Sequence, residues 1–176
     1  MECKIIKDKD FAKSIFTVAS FVNDYNSKNY NEKQFDSSWK KWLNFYVLYD
    51  IDKVVAFCGI RKFDNNYARI FDRYFISPEY RNNTLSHKEY SVNMVKTLVD
   101  DCISKGYQPF FSIQTRRKRR STDMAVKTFN KHIEQEFRVL DGLYCTVPNS
   151  KDNPDCWQNI ATISPYEICL EKSDVF

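Results

Sequence analysis

The eighteen residues Arg69-Ile70-Phe71-Asp72-Arg73-Tyr74-Phe75-Ile76-Ser77-Pro78-Glu79-Tyr80-Arg81-Asn82-Asn83-Thr84-Leu85-Ser86 are the stretch best arranged for chemistry. The first part has the composition of a strand and breaks at Ser77-Pro78, because proline cannot donate to a ladder. A polar turn follows, and helical periodicity resumes after it. The start of a helix presents unpaired N–H groups and the positive end of the backbone dipole, which together form an anion site. Arg81 places a cation in this turn, and Thr84 and Ser86 add hydroxyls able to donate to a phosphate.

A second charged feature is the block Arg116-Arg117-Lys118-Arg119-Arg120, five adjacent basic residues in a chain whose net charge is only +4. It falls between a predicted strand and a predicted helix, at the end of a sheet where ligands collect in open α/β folds. The block is open to three readings: a solvated loop, a contact to the phosphates of a bound ligand, or a nucleic-acid contact working through counterion release. His87 and His132 are the only histidines; the first opens a helix within reach of a phosphate, the second reads as a surface residue. Cys3, Cys58, Cys102, Cys145, Cys156 and Cys169 are scattered without a CxxC pair, so neither a disulfide framework nor a metal site is expected. Cys58 and Cys102 lie in apolar patterns and read as small hydrophobes.

The elements that must position these residues follow from periodicity. Cys3–Ile6 reads as a strand and Phe11–Tyr25 as an amphipathic helix, followed by a polar, turn-rich span over 23–36. Trp39, Trp42 and Leu43 predict a further helical segment capped by Ser37 or Ser38. Phe45–Tyr49 and Val54–Ile60, joined by a turn over Asp50–Lys53, predict a β-hairpin. A third strand is expected over Ala68–Ile76, a helix over Lys88–Lys105 with Gly106 just past its end, a strand over Phe110–Gln114 and a helix over Thr122–Glu134. Phe137–Leu140 and Leu143–Val147 read as partners across an Asp141-Gly142 turn, and Trp157–Ile163 supplies a last strand after a loop over Ser150–Asp155. Strand–helix–strand units imply parallel pairing by a right-handed crossover, whereas the opening hairpin is antiparallel. The expected fold class is α/β (α+β), a mixed central sheet flanked by helices.

A strand ending in Ser-Pro-Glu-Tyr-Arg and turning into a helix resembles the acyl-CoA-binding segment of the GNAT superfamily of N-acyltransferases. The family's turn reads (Gln/Arg)-x-x-Gly-x-(Gly/Ala), and the resemblance puts Arg81 on its first position, Thr84 on the first glycine and Ser86 on the second small residue. It implies that backbone N–H groups over Arg81, Asn82, Asn83, Thr84, Leu85 and Ser86 hold the pyrophosphate of acetyl-CoA. It also implies that a backbone N–H around Phe75 and Ile76 polarises the thioester carbonyl, and that Asp72, on the same strand, takes the proton of the attacking amine. Ala125 and Phe129 fit the family's Ala-x-x-x-Tyr helix, but phenylalanine has no hydroxyl to protonate a departing thiolate. The resemblance covers about 45–144.

Size and composition fit this reading. The chain of 176 residues suffices for one domain, and 14 Phe with 11 Tyr supply ample core. The expected organisation is a single GNAT-like domain over 1–176, with an N-terminal strand and helices over 1–44, the core over 45–147 and a C-terminal loop and strand over 148–176. No apolar run approaches the ~18 residues that span a bilayer, so a cytoplasmic protein without a membrane partner is expected. The implied activity is transfer of an acetyl group from acetyl-CoA, without a metal, to a small-molecule or peptide amine. The alternative is a GNAT-like binding module without catalysis, with nucleic acid as partner through Arg116–Arg120.

Overall fold

A computed structural model describes residues 1–22, 24–81, 87–114, 119–145, 157–163 and 171–172. The turn Asn82–Ser86 and the basic residues Arg116–Lys118 lie outside the described residues, as do Cys156 and Cys169.

The chain opens with β1 (Glu2–Ile6), α1 (Lys9–Val18), α2 (Asp24–Asn29) and α3 (Glu32–Trp39), then runs through β2 (Trp42–Asp50), β3 (Lys53–Lys62) and β4 (Tyr67–Ile76). A one-turn helix α4 (Pro78–Arg81) leads toward α5 (His87–Ser104), β5 (Gln108–Gln114) and α6 (Arg119–Phe129). The short strands β6 (Arg138–Val139) and β7 (Tyr144–Cys145), the longer β8 (Trp157–Thr162) and the short β9 (Glu171–Lys172) complete the sheet. Strand order is β1-β2-β3-β4-β5-β8-β7-β9, with β6 also on β8. Every pairing among the described residues is antiparallel except β4 with β5, so the sheet is mixed.

Helices cover both faces. Tyr90, Met94, Val95, Leu98, Val99 and Cys102 of α5 pack with Phe129 of α6 on Tyr46, Leu48, Ala56, Cys58, Ile60, Ala68, Ile70 and Phe111 of the strands. The opposite face is an aromatic core, where Phe16 of α1 and Phe35 of α3 meet Trp42, Phe45, Phe57 and Phe75. Asp101 ties α5 to β2, accepting hydrogen bonds from the Tyr46 hydroxyl and, at 2.8 Å, from Asn44. No helix of the described residues is long and apolar enough to cross a membrane.

Five expectations about elements require correction. The polar span over 23–36 holds two helices; α3 is capped by Asn31, whose side chain accepts from the Gln34 N–H, and it buries Phe35. Trp42 and Leu43 are therefore not helical but open β2, and Trp39 ends α3. The first helix stops at Val18 and continues only as a 3-10 turn over Ala19–Phe21. The Asp141-Gly142 hairpin does not form: Arg138 and Val139 pair with Thr162 and Ala161, while Tyr144 and Cys145 pair with Gln158 and Trp157. One six-residue strand, β8, thus takes the partners that the local turn signal had assigned to each other. Finally, α6 begins inside the basic block at Arg119 and ends at Phe129, since Asn130 uses its side chain to hold both the N–H and the C=O of Phe137.

Candidate functional site

The site is built by irregularity in β4. Between the pairs Arg69↔Arg61 and Phe75↔Phe57, six residue steps on β4 oppose four on β3, so β4 carries two extra residues. Two of its residues without glycine's freedom take left-handed backbone conformations, Phe71 at φ 59° and Arg73 at φ 54°. Bulges bend a strand and increase its twist, and the consequence appears on the other edge. Strand β4 is paired with β5 only at Tyr67, Ala68 and Arg69. Beyond Arg69 the two parallel strands are no longer paired, which opens the sheet between them. The parallel pairing itself matches the expectation for the strand ending at Ile76 and the strand Phe110–Gln114.

Left-handed backbone at non-glycine residues costs roughly 1–3 kcal/mol each and persists only where surroundings over-determine it. Asp72 sits between the two and is clamped from both sides. Its carboxylate accepts a 2.7 Å hydrogen bond from the Trp42 indole and forms an ion pair with Arg69. The Trp42 ring lies flat against Gly59, where any side chain would collide with it. Phe71 stacks on Phe129 at 5.6 Å and meets Tyr74 edge-on at 5.3 Å, and Arg73 donates to Gln34 of α3 at 3.1 Å. Burial alone would raise the Asp72 pKa; the Arg69 charge, the bonds from Trp42 and Arg69, and Arg61 outweigh it and hold the carboxyl below the ordinary carboxylate value.

At the far end of β4, Ser77 donates its N–H to Val55 of β3 at 2.8 Å. Strand alternation then turns the Ile76 N–H and C=O the other way, to the edge that β5 has left. In agreement, the Ile76 carbonyl accepts from Arg81 Nε at 2.7 Å. Arg81 folds back so that its guanidinium lies 4.7 Å from the centre of the Phe75 ring, which fixes the start of the turn to the end of β4. Asn82, Asn83, Thr84, Leu85 and Ser86 lie outside the described residues, and α5 begins directly after them.

Phe129 does not face an open site. It is 6% exposed, stacked on Phe71 and edge-on to Phe111 at 5.3 Å, so it joins β4 to β5 under the opening. Sequence reasoning missed Tyr74, a phenol on the bulged segment whose hydroxyl is buried beside Ser91 of α5. Burial pushes its pKa well above that of an ordinary tyrosine, with Ser91 opposing, so it stays protonated. It also missed Arg61, which stands directly opposite Arg69 and Trp42 in register. Of the basic block, Arg119 pairs with Asp123 at 3.6 Å and Asp141 at 3.8 Å, while Arg120 is exposed at the start of α6. A shallow cavity of about 190 Å³ lies on the aromatic face, lined by Ile6, Lys7, Trp39, Trp42, Leu43 and Asn44.

No family model and no curated protein matches the sequence. Solved structures do match the fold. An aminoglycoside 6'-N-acetyltransferase from Enterococcus faecium superposes with a TM-score of 0.58 at 11% identity, over 96% of this chain and 100% of that one. An acetyltransferase of the GNAT family from Staphylococcus aureus Mu50 gives 0.54 at 14% identity, over 92% and 99%. Ard1 from Thermoplasma volcanium gives 0.55 at 14% identity, over 93% and 99%. The chain has the fold of the GNAT superfamily, with a mixed sheet split between its two parallel strands.

Proposed function

We propose that the protein is an acyl-CoA-dependent N-acyltransferase that moves an acetyl group from acetyl-CoA to a small-molecule or peptide amine. The observation that carries this reading is the opening between β4 and β5, whose β4 edge presents the Ile76 N–H to whatever fills it. In this reading the coenzyme's pyrophosphate rests on the turn of Arg81, Asn82, Asn83, Thr84, Leu85 and Ser86 at the start of α5, and its acyl arm lies along β4. The Ile76 N–H, next to Phe75 on the edge that β5 has left, marks where the thioester carbonyl is polarised; pre-oriented donors of this kind often supply the largest catalytic contribution. The attacking amine must lose a proton. Asp72, four residues before Ile76, is the acidic residue assigned to it through a water chain, with a handicap set by its surroundings: the pair with Arg69 keeps it charged but weakens its hold on a proton. The departing thiolate finds no hydroxyl at Phe129, so in this reading it leaves to solvent.

Acetyl-CoA at 100 times its Kd should stabilise the protein by about 2.7 kcal/mol, a rise in melting temperature of about 5–10 °C for a chain of this size. Free-thiol release with an amine present should fall about 100-fold or more in Asp72→Asn if the carboxylate acts as base. Absence of any shift with acetyl-CoA overturns the coenzyme reading. That result would favour a GNAT-like binding module without catalysis, the reading that the buried Phe129 supports. Nucleic acid binding through Arg116–Arg120 would then show as an affinity that falls steeply with salt.

A further inference from the structure

The aromatic face of the sheet, under α1 and α3, carries an unbalanced set of charges where β4 leaves β5. Arg61 and Arg69 are direct cross-strand neighbours, and the Arg69–Asp72 pair, the Trp42–Asp72 bond and the Arg73–Gln34 bond all lie on this side. Like charges directly opposite each other on a sheet are destabilising, and guanidinium groups do not discharge at physiological pH. Among the described residues, Asp72 is the carboxylate that acts on Arg61, while Arg69 and Arg73 both repel it. Three guanidinium groups against one carboxylate leave two positive charges over. The environment is poor in water, with the Arg69 side chain 17% exposed and that of Asp72 3% exposed. Arg69 Nε is buried without a hydrogen-bond acceptor among the described residues. A half-buried surplus of cations with a spare donor is stabilised by an anion.

We propose that Arg61, Arg69 and Arg73 form a receptor for a carboxylate carried by the amine acceptor, so that the protein acylates acidic amines. The coenzyme phosphates are a poor alternative occupant. Their expected turn leads into α5, which packs on the opposite face of the sheet, and seven residues of β4, roughly 20 Å of strand, separate Arg69 from Ile76. Arg73 is three residues from Ile76, roughly 10 Å along a strand. The acceptor's carboxylate therefore lies several bonds from its amine. This inference rests on the acyltransferase reading for the identity of the ligand, but the anion site itself is testable without coenzyme.

The probes are 6-aminohexanoate and 6-aminohexanamide, which differ in the charged end alone. Their binding is read as melting shifts at constant ionic strength, with no acetyl-CoA present. The acid should bind at least about tenfold more tightly than the amide, the scale of one lost hydrogen bond to a charged group. Arg61→Gln, which leaves the Arg69–Asp72 pair intact, should abolish that preference while the shift with acetyl-CoA persists; Arg61→Lys should retain much of it. Should Arg61→Gln not fold, the comparison of Arg61→Lys and wild type on acid against amide still decides. Equal binding of acid and amide by the wild type, or an Arg61→Gln protein that keeps the preference, overturns the proposal. Acid binding without any acetyl-CoA shift would instead overturn the coenzyme reading and leave the anion site standing.

Discussion

Gly59→Ala tests the clamp that holds the bulged strand. A Cβ at Gly59 would lie within 3.0 Å of Cε2, Nε1 and Cδ2 of Trp42, closer than side-chain carbons approach. The indole has little room to retreat, being stacked on Phe45 at 5.4 Å and edge-on to Phe16 at 5.9 Å. Moving it breaks the 2.7 Å bond to Asp72. A lost hydrogen bond to a charged group costs about 1.5–3 kcal/mol, and overpacking a tight core adds about 1–3 kcal/mol. At about 2–4 °C per kcal/mol for a chain of this length, the melting temperature should drop by at least 5 °C. Trp42→Phe removes the N–H and two of the three colliding atoms, Nε1 and the indole Cε2, so Gly59→Ala should cost less in that background. A coupling of at least about 1 kcal/mol is expected from urea unfolding of the four proteins. Additive effects, or a Gly59→Ala protein within about 0.5 kcal/mol of wild type, would refute the clamp.

Phe129→Tyr places a hydroxyl among Phe71, Phe111 and Phe137, and should lower stability by about 1–3 kcal/mol without raising acyl-CoA hydrolysis; faster hydrolysis would show that the ring reaches the sulfur. Asp72 gives an acid signature with a definite sign. Its folded pKa is depressed, so its stabilisation is fully present above the unfolded value of about 3.9 and is lost as pH falls through the folded value. Asp72→Asn should therefore flatten stability against pH below about pH 4, and an unchanged acid limb in the variant would contradict the depressed pKa. Tyr46→Phe removes the hydroxyl that α5 receives through Asp101 and should lower the melting temperature by about 3–10 °C, a loss that unchanged melting would disprove.

Much of the sheet was legible because its signals are local. The hairpin of β2 and β3 shows in two continuous β-rich apolar runs on either side of a turn over Asp50–Lys53, and α5 shows in the Val95, Leu98, Val99 and Cys102 stripe that the structure buries. The helix α3 was not legible by periodicity, because its apolar residues are only Phe35 and Trp39; its one clear signal was the Asn31 cap with Gln34 three residues on. The β6–β7 error has a different cause. Asp-Gly is a strong local hairpin signal, but β8 arrives from later in the chain and offers longer pairing to both strands. The Arg61–Arg69–Arg73 cluster was least legible of all. Its assembly depends on two bulges at residues other than glycine, and one step of register moves a side chain to the other face.

The most direct measurement is an amide-resolved NMR titration of the protein with acetyl-CoA, following β3, β4 and β5. If coenzyme fills the opening, the Ile76 amide should show one of the largest shifts, accompanied by Phe71–Phe75, while the β1–β2 pair at the far edge stays unchanged. Saturable binding that perturbs the Arg119–Arg120 end of α6 but leaves Ile76 and its neighbours in place would contradict the acyl-CoA site on β4.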